Sequence, residues 1–179
     1  DEGAAHVVEV IQTVRGLTPG VTIEVLVPDF HGREALIRTV LLEGEPEVFA
    51  HNLETIERLS GLLRPQADYR RSLRVLDLAA SLGTKSLVKS SLMVGLGETP
   101  DELCRTFDDL LAVGVTHLTI GQYLRPDVDH LPVMEYVSPE RFLEYERLAD
   151  EAGFAWVKAG PFVRSSYHAV DALVTVPSW

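Results

Sequence analysis

The stretch "SLVKSSLMVGLGETPDELCRTFDDLLAVGVTHLTIGQYL", residues 86–124, reads as a strand, a helix and a second strand. Its two ends, 86–95 and 117–124, are short, apolar and bounded by glycine, proline or charge, as buried strands are. Between them Leu103, Phe107, Leu110 and Leu111 fall at i, i+4, i+7 and i+8, the apolar stripe of a helix over 101–113. Thr99 stands as its N-cap, with Pro100 in the first turn and Glu102 three residues on, the pattern of a capping box. Gly114 marks the end. Two strands joined through a helix are laid parallel by a right-handed crossover.

The alternation continues on both sides. "VTIEVLV" (21–27), "EVFAHN" (47–52) and "FAWVKAG" (154–160) are further buried strands. A helix over 140–152 opens on Ser138-Pro139, closes at Gly153 and carries Tyr145, Leu148, Ala149 and Ala152 on one face. Leu73, Leu76 and Ala80 make a shorter stripe in 70–82. No linker, low-complexity tract or repeat interrupts the pattern. The fold class is therefore α/β, one domain with parallel strands, either an open doubly wound layer or part of a (β/α) barrel. In both, ligands gather at the C-terminal strand ends. His51, Asn52 and Glu54 follow the second strand, Gly95 to Glu98 the third, and Gln122 and Tyr123 the fourth. Any strand end is polar because it meets solvent; several ending alike point to one shared site.

Composition narrows the function. The chain has 179 residues, 46% of them hydrophobic, enough for one sizeable core. With 27 acidic against 16 basic residues the formal charge is -11, the wrong sign for binding nucleic acid through its phosphates. No apolar run approaches the ~18 residues of a membrane span, and "DEGAAHVVEV" lacks the layout of a signal peptide. The single cysteine, Cys104, permits no internal disulfide, which fits a reducing compartment. It falls in the helical pattern and reads as a core thiol. His117 reads as structural, and His130 lies in a loop, 125–133, long enough to cover a site.

G-x-S-x-G, H-E-x-x-H and P-loop motifs are absent. "GLGETP" (95–100) starts as a dinucleotide loop does, but Pro100 stands where the third glycine belongs. Two stretches remain. "KSSLMVGLGET" (89–99) leads a buried strand into a glycine turn that ends on Glu98. "GPFVRSSYHA" (160–169) sets Ser165 and Ser166 among Arg164, Tyr167 and His168, either a polar turn or a site of chemistry.

The first of these resembles the glycine-rich strand that contacts S-adenosylmethionine (SAM) in radical SAM enzymes, with Ser91 for the first glycine, Met93 for the isoleucine, and Gly95 and Glu98 matching. The whole chain resembles the C-terminal part of the lipoyl synthases. The matching segments run in the family's order: "GAAH" (3–6), "IEVLVPDFHG" (23–32), "VFAHNLET" (48–55), "ADYRRSL" (67–73), "KSSLMVGLGET", "LTIGQYLRP" (118–126), "HLPVMEYVSPE" (130–140) and "GPFVRSSYHA". The resemblance implies a partial (β/α) barrel of the radical SAM type over 1–160, truncated at the N-terminus, and a cluster-capping segment and tail over 161–179. It implies two [4Fe–4S] clusters and SAM as cofactors. The reaction inserts two sulfurs at C6 and C8 of an octanoyl chain on a lipoyl-carrier domain, and an electron donor reduces the cluster. The family's R-S-S-Y serine, an oxygen ligand to the auxiliary cluster, falls on Ser165, ahead of Ser166. An oxygen is a poorly matched partner for a soft iron site that normally takes thiolates, so such an iron exchanges its ligand more readily. In this reading Arg164 eases ionisation of Ser165, and Tyr167 and His168 order its loop. Asn52, Glu54, Arg71, Lys89, Gly95, Glu98 and Gln122 are the expected SAM and substrate shell, with Lys89 or Arg71 pairing the SAM carboxylate. The setting is the cytoplasm, or an organelle matrix in a eukaryote, without nucleic acid or membrane as partner.

One departure qualifies this. The family's C-x3-C-x2-C motif and its N-terminal cysteine trio have no counterpart beside a lone Cys104. The chain by itself therefore ligates neither cluster in the family's way. Truncation is the expectation, with no activity and poor solubility for the chain alone. A non-catalytic SAM-binding module and one half of a split enzyme stand as alternatives.

Overall fold

The computed structural model describes residues 3–167 and 169–174. Five strands, β1 (Glu24–Leu26), β2 (Val48–Ala50), β3 (Leu87–Val94), β4 (His117–Gln122) and β5 (Trp156–Gly160), form one sheet. All four pairings are parallel and the spatial order is the sequence order. A doubly wound sheet reverses direction at a switch point; this one never does, so each strand is simply laid beside its predecessor, as in a barrel. All five expected strands are present. The first two are shorter than their apolar runs, because β1 has a partner on one side only and the chain turns sharply at Glu54, whose φ is 72°.

Helices α2 (Glu34–Thr39), α3 (Glu57–Leu63), α4 (Tyr69–Ser81), α5 (Pro100–Ala112) and α6 (Pro139–Ala152) occupy the connections, with α1 (Ala4–Leu17) before β1 and α7 (Ala169–Val174) after β5. The capping box of α5 is formed, Thr99 and Glu102 each accepting from the other's backbone, and Ser138 caps α6. The stripes shift slightly. Ala80 and Ala152 are exposed, and the buried positions are Ala79 on α4 and Phe142 on α6. Cys104 on α5 is only half buried, which corrects its reading as a core thiol. The stripe of α1, Ala4, Val8 and Ile11, was not anticipated although its i, i+4, i+7 spacing is regular.

Register sorts the strand residues onto two faces. On the helix-covered face lie Phe49 and Val88, then Leu118 and Val157 one step up beside Ser90, then Leu92 and Ile120, and the apolar ones make the core. The opposite face carries three rows: Ala50, Lys89, His117 and Trp156; then Ser91, Thr119 and Lys158; then Met93, Gly121 and Gly160. On this face Lys89 Nζ lies 3.1 and 2.9 Å from the carboxylate oxygens of Glu24 on β1 and 5.5 Å from the Trp156 ring on β5. Side chains from both edge strands converge on the middle one, so this face is the concave interior of a partial barrel.

Candidate functional site

The C-terminal rim is built by the turns after the strands. After β2, Asn52 donates to Glu54 Oε1 at 3.3 Å, and Arg64 stands 3.6 Å from the same oxygen. Burial pushes the Glu54 carboxyl above its ordinary range, against the pull of Arg64 and Asn52. Asn52 Oδ1 is buried without a hydrogen-bond partner among the described residues, the condition of a group that awaits a ligand or a water. These three residues and His51 line a cavity of about 170 Å3. His51 itself is a strut. Its Nδ1 lies 2.9 Å from the Val27 carbonyl, which can only accept, so Nδ1 carries the proton and Nε2 accepts from Ser72 Oγ at 2.9 Å. Burial holds its pKa below the ordinary value, and the ring stays neutral.

Next to it, a cavity of about 530 Å3 is lined by Asp29, His31, Gln66 and, again, Pro28 and Arg64. The shared residues make one trough along the rim over β1 and β2. Asp29 caps a strained turn in which Phe30, His31 and Gly32 all have positive φ. Arg71 reaches this turn from α4, donating to Asp29 Oδ2 at 2.6 Å and to the Gln66 carbonyl at 2.8 Å. Burial alone would raise the Asp29 carboxyl; the His31 amide and the Arg71 guanidinium reverse that and hold it below its ordinary value.

After β3, Glu98 accepts from the amides of Gly95 and Leu96 at 2.6 and 2.9 Å, so its carboxylate closes its own turn. Arg58 clamps the base of that turn with a two-pronged pair to Glu102 and a bond to the Gly97 carbonyl. Arg58 and the Thr99 amide hold the Glu102 pKa at about 2. Gln122 ends β4 and is spent on backbone. Its Nε2 reaches the carbonyls of Tyr123 and Glu135 at 2.9 and 3.0 Å, and its Oε1 accepts from Val137. It thereby fixes both ends of the loop between β4 and α6. Gly95, with φ +95°, leaves room for this, since a Cβ there would stand 2.4 Å from both Gln122 Nε2 and the Glu135 carbonyl.

After β5 the chain folds back over the interior. Val163 is buried, and its carbonyl lies against Gly121, where a Cβ would come within 2.2 Å of it. Arg164 Nη1 donates to that carbonyl at 2.6 Å. Ser165, half buried, and Ser166, exposed, follow at once, so the serine segment sits on the interior side of the rim. His168 lies outside the described residues.

The expected site residues thus divide. Asn52, Glu54 and Arg71 flank the trough, Gly95, Glu98 and Gln122 build the rim, and Ser165 borders it. Lys89 does not stand at a strand end. It is the third residue of β3, buried beneath two further rows and committed to Glu24. Sequence reasoning passed over Asp29, His31 and Arg64. The charges spaced through "VPDFHG" and "LLRPQADYRR" were the available signal, but neither stretch has the period of an element. Among the described residues no group of three or more His, Cys, Asp or Glu side chains is disposed to hold a metal ion. None of their helices is long and apolar enough to cross a membrane.

No protein-family model matches the chain. It is 51% identical over 169 residues to the lipoyl synthase of Bacteroides thetaiotaomicron, covering 94% of this chain and 59% of that protein. It is 50% identical to the lipoyl synthase of Treponema denticola, with 94% and 57% covered. Among solved structures, a putative phosphonomutase from Burkholderia cenocepacia aligns with 96% of this chain and 75% of its own at a TM-score of 0.48 and 14% identity. The chain spans somewhat under two thirds of the length of the curated relatives it matches. At half identity along nearly all of its residues, the chain belongs to the lipoyl synthase family.

Proposed function

We propose that the chain is the C-terminal part of a lipoyl synthase, a radical SAM sulfurtransferase that inserts two sulfurs at C6 and C8 of an octanoyl chain on a lipoyl-carrier domain. The observation that carries this is the half identity to lipoyl synthases along 94% of the chain. When bound, SAM and the iron–sulfur clusters supply the radical and the sulfur. The chain's own part is to bind, orient and exclude water. The orphaned Asn52 Oδ1 and the buried Glu54 beside it fit the polar groups of SAM. Arg71, oriented by Asp29, is a second cation at the trough. Gly95 and Glu98 shape the turn after β3, Gln122 holds the loop beside it, and Lys89 with Glu24 closes the interior below.

The residues present do not by themselves fit a cluster. Ser165 offers one oxygen, Ser166 being the second choice, and no described cluster of ligands accompanies it. In this reading the remaining ligands come from residues outside this chain. The setting is the cytoplasm, or an organelle matrix in a eukaryote. The test is octanoylated carrier incubated anaerobically with SAM and reductant, followed by mass spectrometry. The full-length protein should form lipoyl carrier, and the 179-residue chain alone should form none. Ser165→Ala in the full-length protein should abolish sulfur insertion. Turnover by the isolated chain, or none by the full-length protein, would sink the reading.

A further inference from the structure

An open sheet has two edges, and this one treats them differently. At β1 the charged residue turns away from the edge. Glu24 reaches inward to Lys89, Leu26 is 54% exposed, and no side chain among the described residues accepts from a β1 amide. At β5 a side chain takes the place of a strand. The Trp156 amide faces the neighbouring strand, donating to the Thr116 carbonyl just before β4 at 3.3 Å. Amides alternate between the two sides of a strand, so that of Ala159, three residues on, faces outward. It donates to Glu146 Oε2 of α6 at 2.8 Å. The other oxygen, Oε1, accepts from Lys158 Nζ at 3.2 Å. One carboxylate thus fills an edge amide and holds the neighbouring lysine. Asp150 follows one turn along α6, where burial first and then Glu146 push its carboxyl above the ordinary range, against the pull of Lys158.

This edge needs cover. Ala159 and Gly160 are only half buried and carry too little bulk to keep another backbone at a distance. An unpaired row of amides and carbonyls is a template for a further strand. A second copy of the chain presents the same edge, and two such edges related by a two-fold axis are self-complementary. Charge alone does not prevent the contact, because physiological salt screens repulsion between acidic copies beyond ~8 Å.

We propose that Glu146 is an edge guard: its carboxylate occupies the outward amide of Ala159 and so keeps two copies of the protein from pairing along β5. The guarding group is the acceptor oxygen rather than the charge, because an added strand binds through unfilled backbone donors and acceptors. The role is independent of the reaction proposed above.

The test is sedimentation velocity on the full-length protein at physiological salt, over the micromolar-to-millimolar range in which exposed strand edges associate. Wild type and Glu146→Gln, whose amide oxygen still accepts, should sediment alike. Glu146→Ala should gain a species of twice the wild-type mass that grows with concentration. Adding Ala159→Pro to it removes the outward N–H, which an edge strand tolerates, and should abolish that species. Hydrogen exchange at the Ala159 amide is the second measurement. It should be slow in wild type and ~10- to 100-fold faster in dilute Glu146→Ala, the loss of a charge-assisted bond. The proposal is overturned by Glu146→Ala sedimenting as wild type, by Glu146→Gln doubling as readily as Glu146→Ala, or by doubling that survives Ala159→Pro. Unprotected exchange at Ala159 in wild type overturns it whether or not any variant folds.

Discussion

Replacing Gly121 by alanine tests whether the backbone packed against it positions the serine segment to which the proposed function assigns a cluster ligand. The new Cβ would stand 2.2 Å from the Val163 carbonyl oxygen and 3.1 Å from Arg164 Nη1. A carbon–oxygen contact relaxes only near ~3.3 Å, so the carbonyl must retreat by about 1.1 Å. The obstacle is backbone and cannot be relieved by a rotamer change. Val163 is buried and hydrogen-bonds back to Gly160, so the 161–164 turn moves as a unit and carries Ser165 with it. Overpacking of this kind costs ~1–3 kcal/mol, or a Tm lowered by ~2–12 °C in a domain of this size.

The functional loss should be larger than the loss of stability. A displacement of ~1 Å in a positioned reacting group costs on the order of 100-fold in rate. Thermal unfolding and lipoyl formation by the full-length protein are the two measurements. Gly160→Ala is the control, since its Cβ would meet only the Val163 Cγ2 methyl at 3.2 Å, which can give way. Gly121→Ala should lose stability moderately and activity nearly completely, and Gly160→Ala should lose little of either. Wild-type turnover by Gly121→Ala would refute the argument that this backbone contact sets the position of Ser165.

Other perturbations address other parts of the structure. Lys89→Met leaves the partly buried Glu24 without its cation and should destabilise by up to ~3 kcal/mol; adding Glu24→Leu should restore much of that in denaturant melts. Gln122→Ala removes the clamp on the loop before α6, and hydrogen exchange at the Val137 amide, which donates to Gln122 Oε1, should accelerate. Glu102 has its carboxyl lowered from 4.5 to about 2 in the folded protein. Its stabilising contribution is therefore complete above pH 4.5 and lost as pH falls toward 2, and Arg58→Ala should flatten the pH dependence of stability in that window.

The outer half of this fold was legible because its physics is periodic. The β3–α5–β4 stretch shows strand, cap, stripe and strand in turn, and the sequential parallel order follows once each strand feeds a helix. The trough was less legible. Asp29, His31 and Arg64 sit in turns, where function depends on which loops are neighbours, and a one-dimensional pattern carries no sign of that. The fate of Lys89 was hidden for another reason. Near a motif it reads as a ligand for an anion, but two rows of separation from the rim and a carboxylate contributed by β1 make it a buried ion pair. Glu98 and Gln122 were located correctly by their strand ends, yet their hydrogen bonds are internal. Position at a strand end is thus weaker evidence of ligand contact than an unfilled hydrogen-bonding valence.

That distinction also explains the asymmetry of the sheet. On the helix side, Phe49 and Val88 share one row and Leu118 and Val157 the next, apolar but for Ser90, which is buried and accepts from the Leu53 amide. On the interior side the rows run from Lys89, His117 and Trp156 through Ser91, Thr119 and Lys158 to Met93, Gly121 and Gly160 at the rim. A parallel sheet whose only task was stability would have no reason to bury Ser91, Thr119 and Lys89 on one face. Each such residue costs desolvation, and Thr119 Oγ1 and Asn52 Oδ1 have no hydrogen-bond partner among the described residues. The trough and Ser165 both lie at the rim end of these rows.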